Sequence, residues 1–403
     1  MNERTKKPDW SDWLALGLVV VTAPVFLFPR LEWTWAFCLA PVAWMLRLRG
    51  GVGRGAIERT PLDWGIGLLV VQIFATCLIV PDLRFSLPKI AGTLFGIILF
   101  YSALAASSSE RALKMGTVLY LSAGFSLAVF GVVGMILSPE RPFVKILPSS
   151  PKPIPLHNWK LPGAELGINP NALAGSLCLV IPVALVLLFS GKSRAAWIAL
   201  LGITSFVFLA VIFLSQAVGA WIALFLSLVL IGLRNRTWVW TLFGSALLLI
   251  LILLIPSNRN LVRKKIEQRS GLWSTGVTTI QKHPIFGAGM NRLRYDKKIG
   301  YTHAHAHNQL IHMAAELGIP GLVAYLAILI GAAWMCVEAS KRAKSAWMRA
   351  AARGLGAGQL AFLIFGMGDA IPLGAKTGVF FWGSLALITA IYKHVTRQED
   401  AER

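Results

Sequence analysis

The chain alternates long apolar runs with short polar connections, and the runs are longer than a soluble core requires. Segments such as Ala195–Leu214, Trp221–Leu233 and Trp238–Ile255 approach the ~20 residues that span a hydrocarbon core. Apolar windows of this kind predict helices over residues 14–29, 33–46, 65–80, 89–106, 114–137, 170–190, 195–214, 216–233, 237–256, 307–336, 351–369 and 375–393. Residues 1–13 are polar and basic, and the first apolar run lacks a clear small-x-small cleavage site, so it reads as a retained anchor. The expectation is an all-α polytopic membrane protein, a single transmembrane domain over residues 1–403 with about twelve spans.

Composition agrees, with 56% of residues hydrophobic and 14% charged, against about 25% charged in a soluble domain. The cysteines Cys38, Cys77, Cys178 and Cys336 fall in or at the end of apolar runs and read as small buried hydrophobes.

Charge sets the orientation. An even number of spans puts both termini on one side, and that side collects Arg47, Arg49, Arg54, Arg59, Lys192, Arg194, Arg234, Arg236, Lys341, Arg342, Lys344 and Arg349. The short connections on the other side hold only Arg30, Arg84, Lys89 and Lys376. By the positive-inside rule both termini are cytoplasmic.

Two long connections on the non-cytoplasmic side depart from this pattern. The first covers 138–169 and is proline-rich; the second covers 257–306. Together they carry fourteen Lys and Arg against Glu140, Glu165, Glu267 and Asp296. Long loops are translocated largely regardless of charge, so their basicity is free to serve an anionic ligand such as a phosphorylated or pyrophosphate-linked lipid. Nucleic acid is a poor partner, because the basic residues are split between two compartments and no binding module is present.

The densest reactive cluster is Tyr301-Thr-His303-Ala-His305-Ala-His307-Asn308-Gln-Leu-Ile-His312, where the second loop meets the next span. Histidine is the usual general base near neutral pH. The following residues read as a short helix ended by Gly318-Ile-Pro320-Gly321. On it Gln309, His312 and Glu316 share a face, with His307 at the helix start. Glu316 is an ionisable group at membrane depth, which marks either function or a partner for a nearby cation. His-x-His-x-His could also hold zinc, but Asp296 is the one nearby loop acid and no thiolate is at hand, so no metal or other cofactor is expected. Arg269, close to Trp273 and Gly271, suits a two-pronged contact to phosphate. His283-Pro-Ile-Phe-Gly287-Ala-Gly289 has turn chemistry that could bring backbone N–H groups to an anion.

Together these residues resemble the O-antigen ligase and polymerase superfamily of bacterial envelopes. Asn169-Pro-Asn171-Ala-Leu-Ala-Gly175 is similar to its Asn-Pro-Asn element, and Ser215-Gln216-Ala-Val-Gly219-Ala-Trp221 to its Ser-Gln-x-x-Gly-Ala-Trp element. His307-Asn308 followed by Gly318-x-x-Gly321 is similar to the ligase His-Asn signature, after Trp273, Pro284 and Gly287 in the family's order. Val218 stands where the family commonly has an arginine, so that role falls to Arg269, Arg141, Lys160 or another loop cation such as Arg292.

The resemblance implies the helical membrane fold of lipid-linked-sugar glycosyltransferases and a site at the periplasmic face of a Gram-negative inner membrane. The donor would be a glycan on undecaprenyl pyrophosphate and the acceptor a sugar hydroxyl of lipid A-core, in lipopolysaccharide biosynthesis. His307 would be the base, with His305 orienting the site. Arg269, Asn308, Arg141, Lys160, Asn171, Gln216, Arg292 and His303 would bind substrate. An O-antigen polymerase, a protein O-glycosylating transferase and a transporter of lipid-linked anions stay open as alternatives. The short tail after the last span counts against the second. Ionisable residues gathered at one face count against the third, since transporter sites lie near the midplane.

Overall fold

The structure, a computed structural model, describes residues 10–27, 59–80, 83, 86–136, 170–190, 195–215, 217–230, 256–293 and 305–402. These residues form helices and turns, with no strand among them. In chain order the helices are α1 (Trp10–Leu27), α2 (Asp63–Ile79), α3 (Leu87–Ala106), α4 (Glu110–Ile136), α5 (Pro170–Leu177), α6 (Ile181–Phe189), α7 (Ala195–Ser215), α8 (Val218–Leu230), α9 (Pro256–Lys282), α10 (Gln309–Arg342), α11 (Ala346–Gly366) and α12 (Val379–Glu402). Among the described residues five stretches are long and apolar enough to cross a membrane: Leu87–Ala106, Glu110–Gly131, Pro170–Phe189, Gln309–Arg342 and Lys376–Glu402. The predicted window 33–46, all but the last residue of the window 237–256, and the first long connection, 138–169, lie outside the described residues.

Helices α10, α11 and α12 form the hub. The first of them packs on α2, α11 and α12, while α11 also meets α6 and α8, and α12 also meets α3. Small residues allow these close approaches, as they do between membrane helices generally. Gly354 and Gly358 of α11 sit one turn apart against Val183 and Leu179, and Gly96 of α3 lies under the Trp382 indole. Trp382, Tyr325, Phe381 and Phe100 are fully or almost fully buried in this core. The periphery stays apolar, with Leu78, Val21 and Phe206 facing outward, which fits a hydrocarbon surround.

Two predicted elements differ in form. The 170–190 window is two helices joined by a turn at Cys178–Val180, because Pro182 cannot donate within a continuous helix and instead sits in the first turn of α6. The 257–306 connection is not open loop; its first half is the 27-residue α9, which packs along α10.

The break predicted at Gly318–Gly321 is present and is the organising feature of one end of the bundle. Gly318 has φ 72° and ψ 178°, and Pro320 lies inside the helical stretch. Pro320 has no N–H, so the Glu316 carbonyl loses its helical donor; it accepts instead from Gly289 N at 3.0 Å. Ile319 N turns to the Pro284 carbonyl at 2.7 Å, and the Ala315 carbonyl it leaves accepts from Ala288 N at 2.8 Å. The turn segment 283–293 is in turn held by side chains of the first helices. Gln72 Nε2 donates to Ile285 O (2.6 Å), Thr76 Oγ1 to Phe286 O (3.2 Å) and Ser86 Oγ to Met290 O (2.7 Å). Irregular backbone at membrane depth survives only when satisfied in this way.

Candidate active site

The site forms where α10 begins. Asn308 is its N-cap, with Oδ1 accepting from Leu310 N (3.0 Å) and Ile311 N (3.1 Å). The Asn308 Nδ2 donates to Met367 O at 3.2 Å, and Gln309 Oε1 accepts from Ile371 N at 2.9 Å. These two ties bracket Asp369, on the turn after α11, and bring it to the histidines. Its Oδ1 lies 2.9 Å from His307 Nδ1 and 3.5 Å from His305 Nδ1. The two imidazoles stand edge to face at 4.4 Å, and His305 lies 6.3 Å from the fully buried His312.

Asp369 is buried, which alone would raise its pKa. The hydrogen bond from His307 and the charges of His305 and His307 outweigh that, and the carboxyl is held below its ordinary value. A carboxylate at Nδ1 selects the tautomer that leaves Nε2 as proton acceptor and stabilises the imidazolium that results. His307 also has a left-handed backbone, φ 51°, which a non-glycine residue rarely adopts. Its carbonyl accepts from Trp273 Nε1 of α9 at 3.3 Å.

Arg269, one turn before Trp273, reaches the same place. A Cβ at Gly368 would lie 3.5 Å from Arg269 Nη1, so the guanidinium stands beside the residue preceding Asp369. Asn171 sits one turn before Gly175, whose face meets Phe365 and Ile371, so α5 starts next to the Asp369 turn. Arg141, Lys160, Gln216 and His303 lie outside the described residues.

Several expectations are revised. The amide of Asn308 caps α10 and bonds Met367 O, which gives it a part in holding the site together. The N–H groups of Ala288, Gly289 and Asn291 go to groups of the chain itself, the Ala315 and Glu316 carbonyls and Glu316 Oε1 (2.8 Å), and not to a ligand anion. Arg292 closes that turn segment, and among the described residues no contact joins it to the histidines. Glu316 is the partner of a cation: Lys89 Nζ meets its Oε1 at 2.9 Å, and His312 Nε2 lies 3.4 Å from Oε2. Gln309, His312 and Glu316 do share a face, and all three are buried.

Asp369 was missed. It is 62 residues from His307 (369 − 307), but it is the one acid between Glu338 and Glu399, in an apolar stretch where an isolated carboxylate signals function. Its presence also supplies the carboxylate whose lack counted against a metal. Donor atoms of His305, His307 and Asp369 lie within 4.8 Å of one another, a ligand set with the chemistry of a three-residue zinc site.

The fold and this cluster define a multi-pass helical membrane protein with a histidine–carboxylate site at one end of its bundle. A family model described as O-Antigen ligase matches residues 203–326, from within α7 to the first turns of α10 past its break. The match supports membership of the O-antigen ligase superfamily and points to a glycosyl-transfer enzyme of the O-antigen ligase type. No curated protein matches the chain.

Proposed function

We propose that the chain transfers O-antigen polysaccharide from undecaprenyl pyrophosphate to a sugar hydroxyl of lipid A-core, at the periplasmic face of the inner membrane. The supporting observation is the His307–Asp369 contact at the head of a broken helix, with the Arg269 guanidinium beside the same turn. His307 Nε2 takes the acceptor proton as the oxygen attacks the anomeric carbon, and Asp369 stabilises the charge that His307 gains. Arg269 meets the pyrophosphate, whose charge grows as the glycosidic bond breaks. The leaving group is already good, so the reaction runs without a metal. The uneven distribution of Lys and Arg supports cytoplasmic termini and thereby a periplasmic site.

The decisive experiment introduces the gene into a Gram-negative strain lacking its ligase. Ladder-like lipopolysaccharide returns with the wild-type chain and not with His307→Ala. Extended lipid-linked glycan without transfer to lipid A-core would make the chain a polymerase instead.

A second reading rests on the donor set His305, His307 and Asp369. A divalent ion held there would activate the acceptor hydroxyl directly, and chelation separates the two readings.

A further inference from the structure

From the contact between α9 and the head of α10 we infer that Trp273 is a positioning residue for His307, fixing the backbone that aims the imidazole. The inference rests on His307 being the base. His307 lies just outside α10, and its φ of 51° is costly for a side chain with a Cβ. The indole N–H of Trp273 donates to the His307 carbonyl at 3.3 Å, and Asp369 holds the ring at 2.9 Å. Backbone and ring are thus pinned from two separate elements, α9 and the turn after α11. The next residue, Asn308, is fixed by its own cap, so the αL conformation is confined to one residue.

The sequence of α9 is built for this reach. Leu272, Gly276 and Thr279–Ile280 recur at helical spacing, and Leu272 is buried with Ala306, Ala315 and Leu293, against which Ile280 and Ile311 pack. Gly276 is the close-approach point: a Cβ there would run into Ile311 Cγ2 and come within 3.6 Å of Ala306 Cβ. Without that approach the indole one turn away would not reach the His307 carbonyl. The small residue and the aromatic form one device.

The experiment measures transfer by the full-length purified chain, from lipid-linked glycan to lipid A-core, for wild type, Trp273→Phe, Gly276→Val and His307→Ala. Trp273→Phe keeps an aromatic surface and removes the N–H, so kcat should fall roughly tenfold to hundredfold while the acceptor KM stays within about twofold. Gly276→Val, which keeps the indole but pushes α9 outward, should reproduce the same loss in kcat. A sugar-stacking role would show the reverse, with Trp273→Phe near wild type in kcat and any change confined to KM, and that result overturns the inference. If Trp273→Phe fails to fold, the same comparison with the isosteric benzothienyl residue at 273 decides. Loss of kcat supports the inference, and wild-type kcat overturns it. His307→Ala reads the underlying assumption separately, since an active His307→Ala removes the base and this inference together. An inactive His307→Ala with wild-type Trp273→Phe removes the inference alone.

Discussion

Gly318→Ala should damage this protein more than any other single methyl added to a glycine of α10, and the structure says by how much. With φ 72° and ψ 178°, Gly318 occupies backbone space open essentially to glycine alone, which costs a side chain about 1–3 kcal/mol. The added Cβ would also land on the Ile285 carbonyl group, 2.5 Å from its carbon, and 3.0 Å from Gly287 N. Those atoms are backbone, so relief requires the 283–293 segment to retreat. Retreat breaks three hydrogen bonds, Ala288 N to Ala315 O, Gly289 N to Glu316 O and Ile319 N to Pro284 O, at about 1 kcal/mol each. The sum is about 4–6 kcal/mol. Thermal unfolding of detergent-solubilised protein measures it, with Gly67→Ala as the control. Gly67 lies on an exposed face of α2 with nothing within 4 Å, so alanine there should be neutral or gain up to ~1 kcal/mol of helix propensity. Equal unfolding temperatures for the two variants would refute the account of the break.

Asp369→Asn should lower the transfer rate about 10²–10⁴-fold, and a loss under about threefold would take Asp369 out of the mechanism. Because its folded pKa is depressed, the contribution of Asp369 to stability is present above its unfolded value of about 3.8 and is lost as pH falls through the lower folded one. Its ionisation therefore adds no slope to stability between pH 5 and 8, which unfolding across that range checks. Activity should survive thorough chelation; loss with EDTA and recovery with zinc would favour the metal reading. Arg269→Lys should rescue poorly, since an ammonium lacks the planar two-pronged contact, and near-wild-type rates would reduce Arg269 to a source of field. A single cysteine at Ser345 should resist an impermeant thiol reagent in intact cells, and labelling there would reverse the orientation.

Much of the site's frame was legible because it follows from local rules. The break at Gly318 and Pro320, and the shared face of Gln309, His312 and Glu316, need only helical spacing and the chemistry of Gly and Pro. What escaped was tertiary. Hydropathy windows seek lipid spans, so α9, amphipathic and basic, read as loop although Leu272, Gly276 and Ile280 carry its stripe. The N–H groups of the 283–293 turns were free on paper. Their partners are carbonyls that only the distant helix break releases. Asp369 belongs to no local pattern with the histidines, and the path of α11 alone delivers it.

The Lys89–Glu316 pair joins residues 227 positions apart in the chain. A ribosome therefore delivers the cation long before its counter-charge. An ammonium at the head of a membrane helix is costly in hydrocarbon, and Glu316 is the carboxylate that meets this one at 2.9 Å. The pair can close only after residue 316 has been made, so the docking of α3 against α10 is completed late in synthesis.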